Sequence, residues 1–385
     1  MKVTVAIDSL KGSLTSKEAG EAARRGILEI YPDAEVFVRP IADGGEGTQE
    51  AIVEALGGEY RTVTVSDPLM RRIEAKYGIV GKTAVIEIAA SAGLTLVEEE
   101  KRDPLFTSTF GVGEMIKDAI SVGVREFIIG LGGSATNDGG TGMLKALGFG
   151  FRDIFGKDIE NGATGLRDLA AIDIGSAIPE LSECRFRIAC DVDNPLCGTK
   201  GASAVFAPQK GARGDAVKNM DVWLSRYAEL TKTVIPEADK NKEGAGAAGG
   251  LGFAFMTYLN GTLEHGIDIV IEKTRLEEYI KASDIVITGE GRLDSQTAMG
   301  KTPIGVARLS KKYGKPVIAF AGCVSADAEV CNSCGIDAFF PIVRGAVELR
   351  EAMDSENAKE NMAYAVRQVF RLIKAVECSS EQAEI

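Results

Sequence analysis

The sequence is poor in the residues that mark a histidine-based hydrolase or a disulfide-built fold. It has one histidine in 385 residues, so a Ser-His-Asp or Cys-His unit would depend on His265 alone. That residue stands in Leu263-Glu264-His265-Gly266, which reads as a helix end capped by Gly266, and its expected role is structural. Cysteine is sparse and odd in number, seven in all, which fits reduced thiols rather than a disulfide framework. Cys331 and Cys334 form a single CxxC without a second pair or a nearby histidine, so a zinc site lacks ligands. Basic residues are outnumbered, 44 against 56 acidic, for a formal charge of −12. A nonspecific nucleic-acid binder is thereby disfavoured, and any attraction for an anionic substrate must be local. No apolar run of about 18 residues occurs and no basic leader precedes the first strand, so no membrane partner is expected and the chain reads as cytoplasmic. Proline is scarce at 11 while glycine reaches 45, which argues for many tight loops rather than a flexible linker.

Apolar residues make up 45% and charged residues 26%, ordinary globular values, and the length suits two domains. Short runs rich in Val, Ile and Phe alternate with Ala-rich helical patterns. They are Val3 to Ile7, Glu35 to Ile41, Glu126 to Leu131, Arg185 to Cys190, Ile285 to Thr288 and Val317 to Ala321. This is the rhythm of an α/β fold whose parallel sheet is covered on both faces, a three-layer α/β/α arrangement. Between Thr62 and Ala90 the candidates crowd together as Thr62 to Val65, Ile73 to Val80 and Thr83 to Ile88, the last two split by a Gly81-Lys82 turn, which reads as a mixed or antiparallel sheet. The βα rhythm returns after Ser283. We therefore expect a discontinuous domain, residues 1–62 plus 283–385, with a second α/β domain on a mixed sheet, residues 63–282, inserted in it. Segment 108–150 is not assigned by pattern to either.

Six segments at strand ends carry the chemistry. Asp8-Ser9-Leu10-Lys11-Gly12-Ser13 follows the first strand and precedes a helix with the capping pair Thr15 and Glu18, so Lys11 and free amides could meet phosphate. Asp43-Gly44-Gly45-Glu46-Gly47-Thr48 combines three glycines, which allow close backbone approach, with two carboxylates suited to Mg²⁺ or substrate hydroxyls. Gly132-Gly133-Ser134-Ala135-Thr136-Asn137-Asp138-Gly139-Gly140-Thr141 is the densest polar and glycine cluster; successive amides there can form an anion nest, and a plain helix cap needs far fewer polar residues. Cys190-Asp191-Val192-Asp193-Asn194-Pro195 delivers two carboxylates that face one side if the backbone stays extended, suiting a metal or an acid/base pair. Gly244-Ala245-Gly246-Ala247-Ala248-Gly249-Gly250-Leu251-Gly252 could cradle a phosphate or serve tight helix packing equally well. Finally, Gly289-Glu290-Gly291-Arg292-Leu293-Asp294 leads toward Gly300-Lys301-Thr302-Pro303. There Thr302 is the expected N-cap and Pro303 the first helical residue. Ser295 stands where a P-loop would need its first glycine, so that motif is rejected.

Taken in order, these segments resemble the bacterial-type glycerate kinase family, with Leu10 where that family more often has Phe. The resemblance implies a Rossmann-like domain with the other domain inserted into it and an active site in the cleft between them. It also implies ATP- and Mg²⁺-dependent phosphorylation of D-glycerate at the 2-hydroxyl, giving 2-phosphoglycerate. On that footing Asp191 is the expected base, with Lys11 and Asp8 as further catalytic residues and Asp43, Glu46 and Asp193 as metal ligands. Substrate and phosphate contacts fall to Ser9, Ser13, Gly44, Gly45, Gly132, Gly133, Ser134, Thr136, Asn137, Asp138, Gly246, Gly249, Gly250, Glu290, Arg292 and Asp294. The alternatives are phosphorylation at the 3-hydroxyl or of another small hydroxy acid, and a sensor that binds without turnover. A nicotinamide-dependent dehydrogenase lacks its G-x-G-x-x-G at the first strand. Homo-oligomerisation stays open.

Overall fold

The structure, a computed structural model, describes residues 1–383, so Glu384 and Ile385 lie outside the described residues. The chain starts with strands β1 (Lys2–Ile7) and β2 (Glu35–Val38). It continues through β3 (Glu59–Ser66), β4 (Arg72–Val80), β5 (Thr83–Glu87), β6 (Glu126–Gly130), β7 (Gly150–Arg152), β8 (Ala171–Asp173), β9 (Arg185–Ala189) and β10 (Thr262–Glu264). It ends with β11 (Ile285–Leu293), β12 (Val317–Val324) and β13 (Ala338–Pro341), followed by a long helix, Ser355–Ala383. Two compact units result: residues 1–43, 50–56 and 267–385 form one, and residues 44–49 and 57–266 the other.

In the first unit the strand order is β13-β12-β11-β1-β2, and every neighbouring pair is parallel. Along β1 the side chains alternate. Val3, Val5 and Ile7 join a core with Ala19, Ala23 and Ile27 of the helix Ser16–Leu28 and with Met362, Val366 and Phe370 of the C-terminal helix. Thr4 lies on the other face, where its hydroxyl meets Ser283 Oγ at 2.7 Å. The two helices of the first face approach so closely that a Cβ on Gly26 would stand 2.4 Å from the Ala363 carbonyl. The helix Ser16–Leu28 begins with the expected capping box of Thr15 and Glu18. Ser16 Oγ donates to the Ile7 carbonyl and accepts from Ile41 N–H at 2.9 Å, which fixes the backbone just before Asp8 and Asp43.

In the second unit the order is β10-β9-β6-β5-β4-β3. Its β3-β4-β5 part is antiparallel and its β5-β6-β9-β10 part parallel, the expected mixed sheet. Phe127 of β6 stacks on Phe186 of β9 with centroids 4.7 Å apart, at the centre of this unit's core. Residues 108–150 belong here.

Several elements differ from the sequence pattern. Strand β2 stops at Val38 because Pro40 has no N–H to extend the ladder. Strand β11 runs on through Glu290 and Arg292, read above as loop, because β12 offers partners as far as Val324. The helix expected from Thr302 as cap has Lys301 at the cap and Pro303 at its second position, Thr302 being drawn to Asp8 instead. Residues 267–282, grouped by pattern with the inserted domain, pack with the first unit: the helix Leu276–Ala282 lies against β1 and against the helix Thr302–Lys312.

Candidate active site

In the first unit β1 has β2 on one side and β11 on the other, so the strand order reverses there. A crevice at the carboxyl edge of the strands is the usual ligand site of such a sheet. The protein has a cavity of about 560 Å³ in this place. Asp8, Ser9, Lys11, Ser13 and Asp43 line it from the loops after β1 and β2; Glu290, Arg292, Asp294 and Lys301 line it from β11 and the following turn. Every residue of this unit that the sequence singles out for the site is therefore in one cavity. Asp8 is 6% exposed. It accepts from Ser9 N–H at 2.6 Å and from Thr302 Oγ1 at 2.7 Å. Burial and then the nearby Asp43 carboxylate push its acid up to about 7, with Thr302 and Ser9 opposing the shift. Glu290 accepts from Thr297 Oγ1 at 2.5 Å and is also raised, chiefly by burial. The Ser9 and Ser13 hydroxyls are buried without a hydrogen-bond partner, an arrangement that a polar ligand would satisfy. Asp294 is partly committed: one oxygen accepts from Gln296 and Thr297 N–H, and the other lies 3.6 Å from Arg292.

The second unit gathers the other segments at the ends of β6 and β9. The 44–49 loop lies against them: Gly44 has φ +93°, and a Cβ there would stand 2.7 Å from both Ala189 Cβ and Gly266 Cα. Gly45 Cα is 3.0 Å from where Gly132 would carry a Cβ, so the lack of a side chain at Gly132 allows this approach. Beyond β6, Lys210 is 2% exposed and donates to Ser134 Oγ at 2.8 Å and to the Thr136 carbonyl at 2.7 Å. Burial pulls its amine down to about 7, with the Asp138 charge opposing. Asn137 donates to Ser203 Oγ at 2.9 Å, while Asn137 Oδ1 and Thr136 Oγ1 are buried and unpartnered.

The sequence made Ser134, Thr136, Asn137 and Asp138 of the 132–141 loop candidate ligand contacts; in the structure Asp138 works inward. It is fully buried, and its carboxylate accepts from Thr109 N–H and Oγ1 and from Gly140 and Gly142 N–H. Of the amides that could have met a phosphate at the next helix, Thr141–Ala146, Gly142 N–H goes to this carboxylate, Thr141 N–H to the Asp138 carbonyl and Met143 N–H to Thr109 Oγ1. The 244–252 loop has an equally close partner. A Cβ on Gly249 would stand 2.0 Å from the Thr136 carbonyl, one on Gly250 2.7 Å from Gly139 Cα, and one on Gly246 2.3 Å from the Pro195 carbonyl. Packing accounts for Gly246, Gly249 and Gly250 without a phosphate.

Asp191, just beyond β9, accepts from Gly266 N–H at 3.1 Å and faces His265 Nδ1 at 3.4 Å. His265 thus precedes a helix rather than closing one: Gly266 opens the helix Gly266–Lys273, and the pairing of Glu264 with Ala189 brings the imidazole beside Asp191. Asp193 and Glu46 are exposed. Among the described residues no group of three or more His, Cys, Asp or Glu side chains is placed to hold a metal ion. The acid pair Asp8 and Asp43 beside unpartnered serine hydroxyls suits Mg²⁺ arriving on nucleotide phosphates, since that ion commonly takes only one or two protein carboxylates. Sequence reasoning gave Lys210 no role, took Thr302 for a helix cap and took His265 for a helix end.

The fold and this cavity define the class: residues 3–374 match the model of the Glycerate kinase family, and the chain belongs to that family. It is 47% identical over 376 residues to the glycerate kinase of Bacillus subtilis (strain 168), covering 97% of this chain and 98% of that one. To the glycerate 2-kinase of Escherichia coli (strain K12) it is 47% identical over 371 residues, with 96% and 97% covered. A crystal structure described as a glycerate kinase 2 from Salmonella typhimurium LT2 aligns with a TM-score of 0.88 at 46% identity, covering 98% of this chain and 99% of that one.

Proposed function

We propose that this protein transfers the γ-phosphoryl group of ATP to the 2-hydroxyl of D-glycerate, releasing ADP and 2-phosphoglycerate. The observation that carries the reading is its near-full-length similarity to the Escherichia coli glycerate 2-kinase. The charged cavity at the carboxyl edge of the first unit's sheet supports it. Phosphoryl transfer calls for positioning and charge neutralisation more than covalent chemistry by the protein. Asp191 takes the proton of the attacking hydroxyl as its oxygen bonds to phosphorus and the bond to the ADP oxygen breaks. Gly266 N–H and the His265 ring orient that carboxylate. Lys11, Arg292 and Lys301 counter the phosphate charge locally, in a chain of net charge −12. Asp8 and Asp43 would hold Mg²⁺, which when bound would supply further charge neutralisation at the transferred group. No helix among the described residues is long and apolar enough to cross a membrane, and we place the enzyme in the cytoplasm.

A coupled assay of ADP release tests the activity. Release in the presence of Mg²⁺ and D-glycerate, and none without glycerate, is expected; ATP hydrolysis indifferent to glycerate would contradict the proposal.

A further inference from the structure

The first unit's cavity has an apolar side that glycerate cannot use. Beyond the charged residues at the strand ends, it is lined by Leu10, Ile342, Val343, Leu349 and Met353. Leu349 is 75% exposed and Met353 38%, unusual for large apolar side chains beside a polar site. Met353 reaches back over the Asp8–Ser13 loop: its Cε lies 2.8 Å from where a Cβ on Gly12 would stand, so Gly12, at φ +77°, leaves room for this closure. D-glycerate carries a carboxylate and two hydroxyls on three carbons and has no face to lay on such a wall. The other reactant is a nucleotide, which joins a charged phosphate chain to a flat, largely apolar base. Lys11, Arg292 and Lys301 stand on the polar side of the same cavity, and about 560 Å³ lies within the usual range of pockets for drug-sized ligands.

We infer that this cavity is the nucleotide site, with the purine base lying on Val343, Leu349 and Met353, backed by the buried Leu10 and Ile342, and the phosphates directed to Lys11, Arg292 and Lys301. The inference rests on the kinase reading above and assigns the nucleotide to the first unit alone. None of the five wall residues has a polar side chain, so the wall holds the base by shape. A site of that kind discriminates weakly between molecules that differ only in their polar substituents. Adenine and guanine nucleotides therefore bind alike.

Titration calorimetry with Mg·ADP and Mg·GDP on the full chain tests this, using wild type and Leu349→Asp, whose exposure makes the substitution harmless to folding. We expect Leu349→Asp to weaken ADP at least about tenfold and raise KM for ATP similarly, with KM for D-glycerate held within about twofold. GDP should bind wild type within about tenfold of ADP. Cys323 is exposed and lines the cavity, so ADP should also slow its alkylation. Undiminished ADP binding by Leu349→Asp, alkylation of Cys323 unaffected by ADP, or rejection of GDP by more than about tenfold, in an enzyme that still phosphorylates glycerate, would overturn the inference alone. Absence of both ADP binding and turnover in wild type would instead bring down the kinase reading, and this inference with it.

Discussion

At the scale of single residues, Asp191 and Lys210 are the sharpest tests. If Asp191 is the base, Asp191→Asn should fold normally and lose roughly 10²–10³ in kcat, the usual cost of losing a transition-state contact. Retention of more than about a tenth of wild-type kcat would remove it from that role. His265→Ala should cost far less, since the ring orients the carboxylate and takes no proton from substrate; steady-state kinetics of both variants side by side check the order. Lys210 carries a pH signature. Its amine is pulled from 10.5 down to about 7 by burial, so between those values the unfolded chain binds more protons than the folded one. Stability contributed by this residue must therefore rise with pH through that window. Lys210→Met should remove that rise, seen as a smaller difference in urea midpoint between pH 7 and pH 9.5 than in wild type. An unchanged difference would mean that the amine keeps its ordinary value.

At the scale of elements, the same glycine loop can serve a ligand or a close backbone contact, and sequence alone weighs the two equally. The packing reading of 244–252 predicts that Gly249→Ala is destabilised with no ligand present, because the new Cβ meets the Thr136 carbonyl and the backbone there has φ +70°. Strain and overpacking together should cost on the order of 2 kcal/mol, read from chemical denaturation. Wild-type stability with a raised KM for ATP would restore the phosphate reading. Much was legible at this level. Apolar runs located β1, β6, β9 and β12, and the Gly81-Lys82 turn marked the β4–β5 hairpin. What stayed hidden depends on partners distant in sequence: β11 lengthens because β12 continues beside it, and His265 meets Asp191 because β10 pairs with β9. Lys210, in the turn Pro208-Gln209-Lys210-Gly211, has no periodic signature that would mark it as buried. Asp138 was found as a polar cluster member, but four donors around one carboxylate cannot be read from order along the chain.

At the scale of the whole molecule, composition spoke to redox state and charge. All seven cysteines are free thiols, so a reductant should leave the melting temperature unchanged; a shift on adding dithiothreitol would reveal a disulfide that the structure lacks. The βα rhythm breaks near residue 62 and returns at 283, whereas the compact units divide at 57 and 267, with 44–49 in the second. The return was placed late because the two helices between 266 and 282 carry no mark of which sheet they cover. The similarity to glycerate kinases extends over nearly the whole chain, so the central claim concerns one reaction and one product. Phosphorus NMR of a single incubation with ATP, Mg²⁺ and D-glycerate tests it most directly. A glycerate-dependent 2-phosphoglycerate resonance growing in step with ADP is the predicted result; a 3-phosphoglycerate resonance, or ATP left intact, would contradict it.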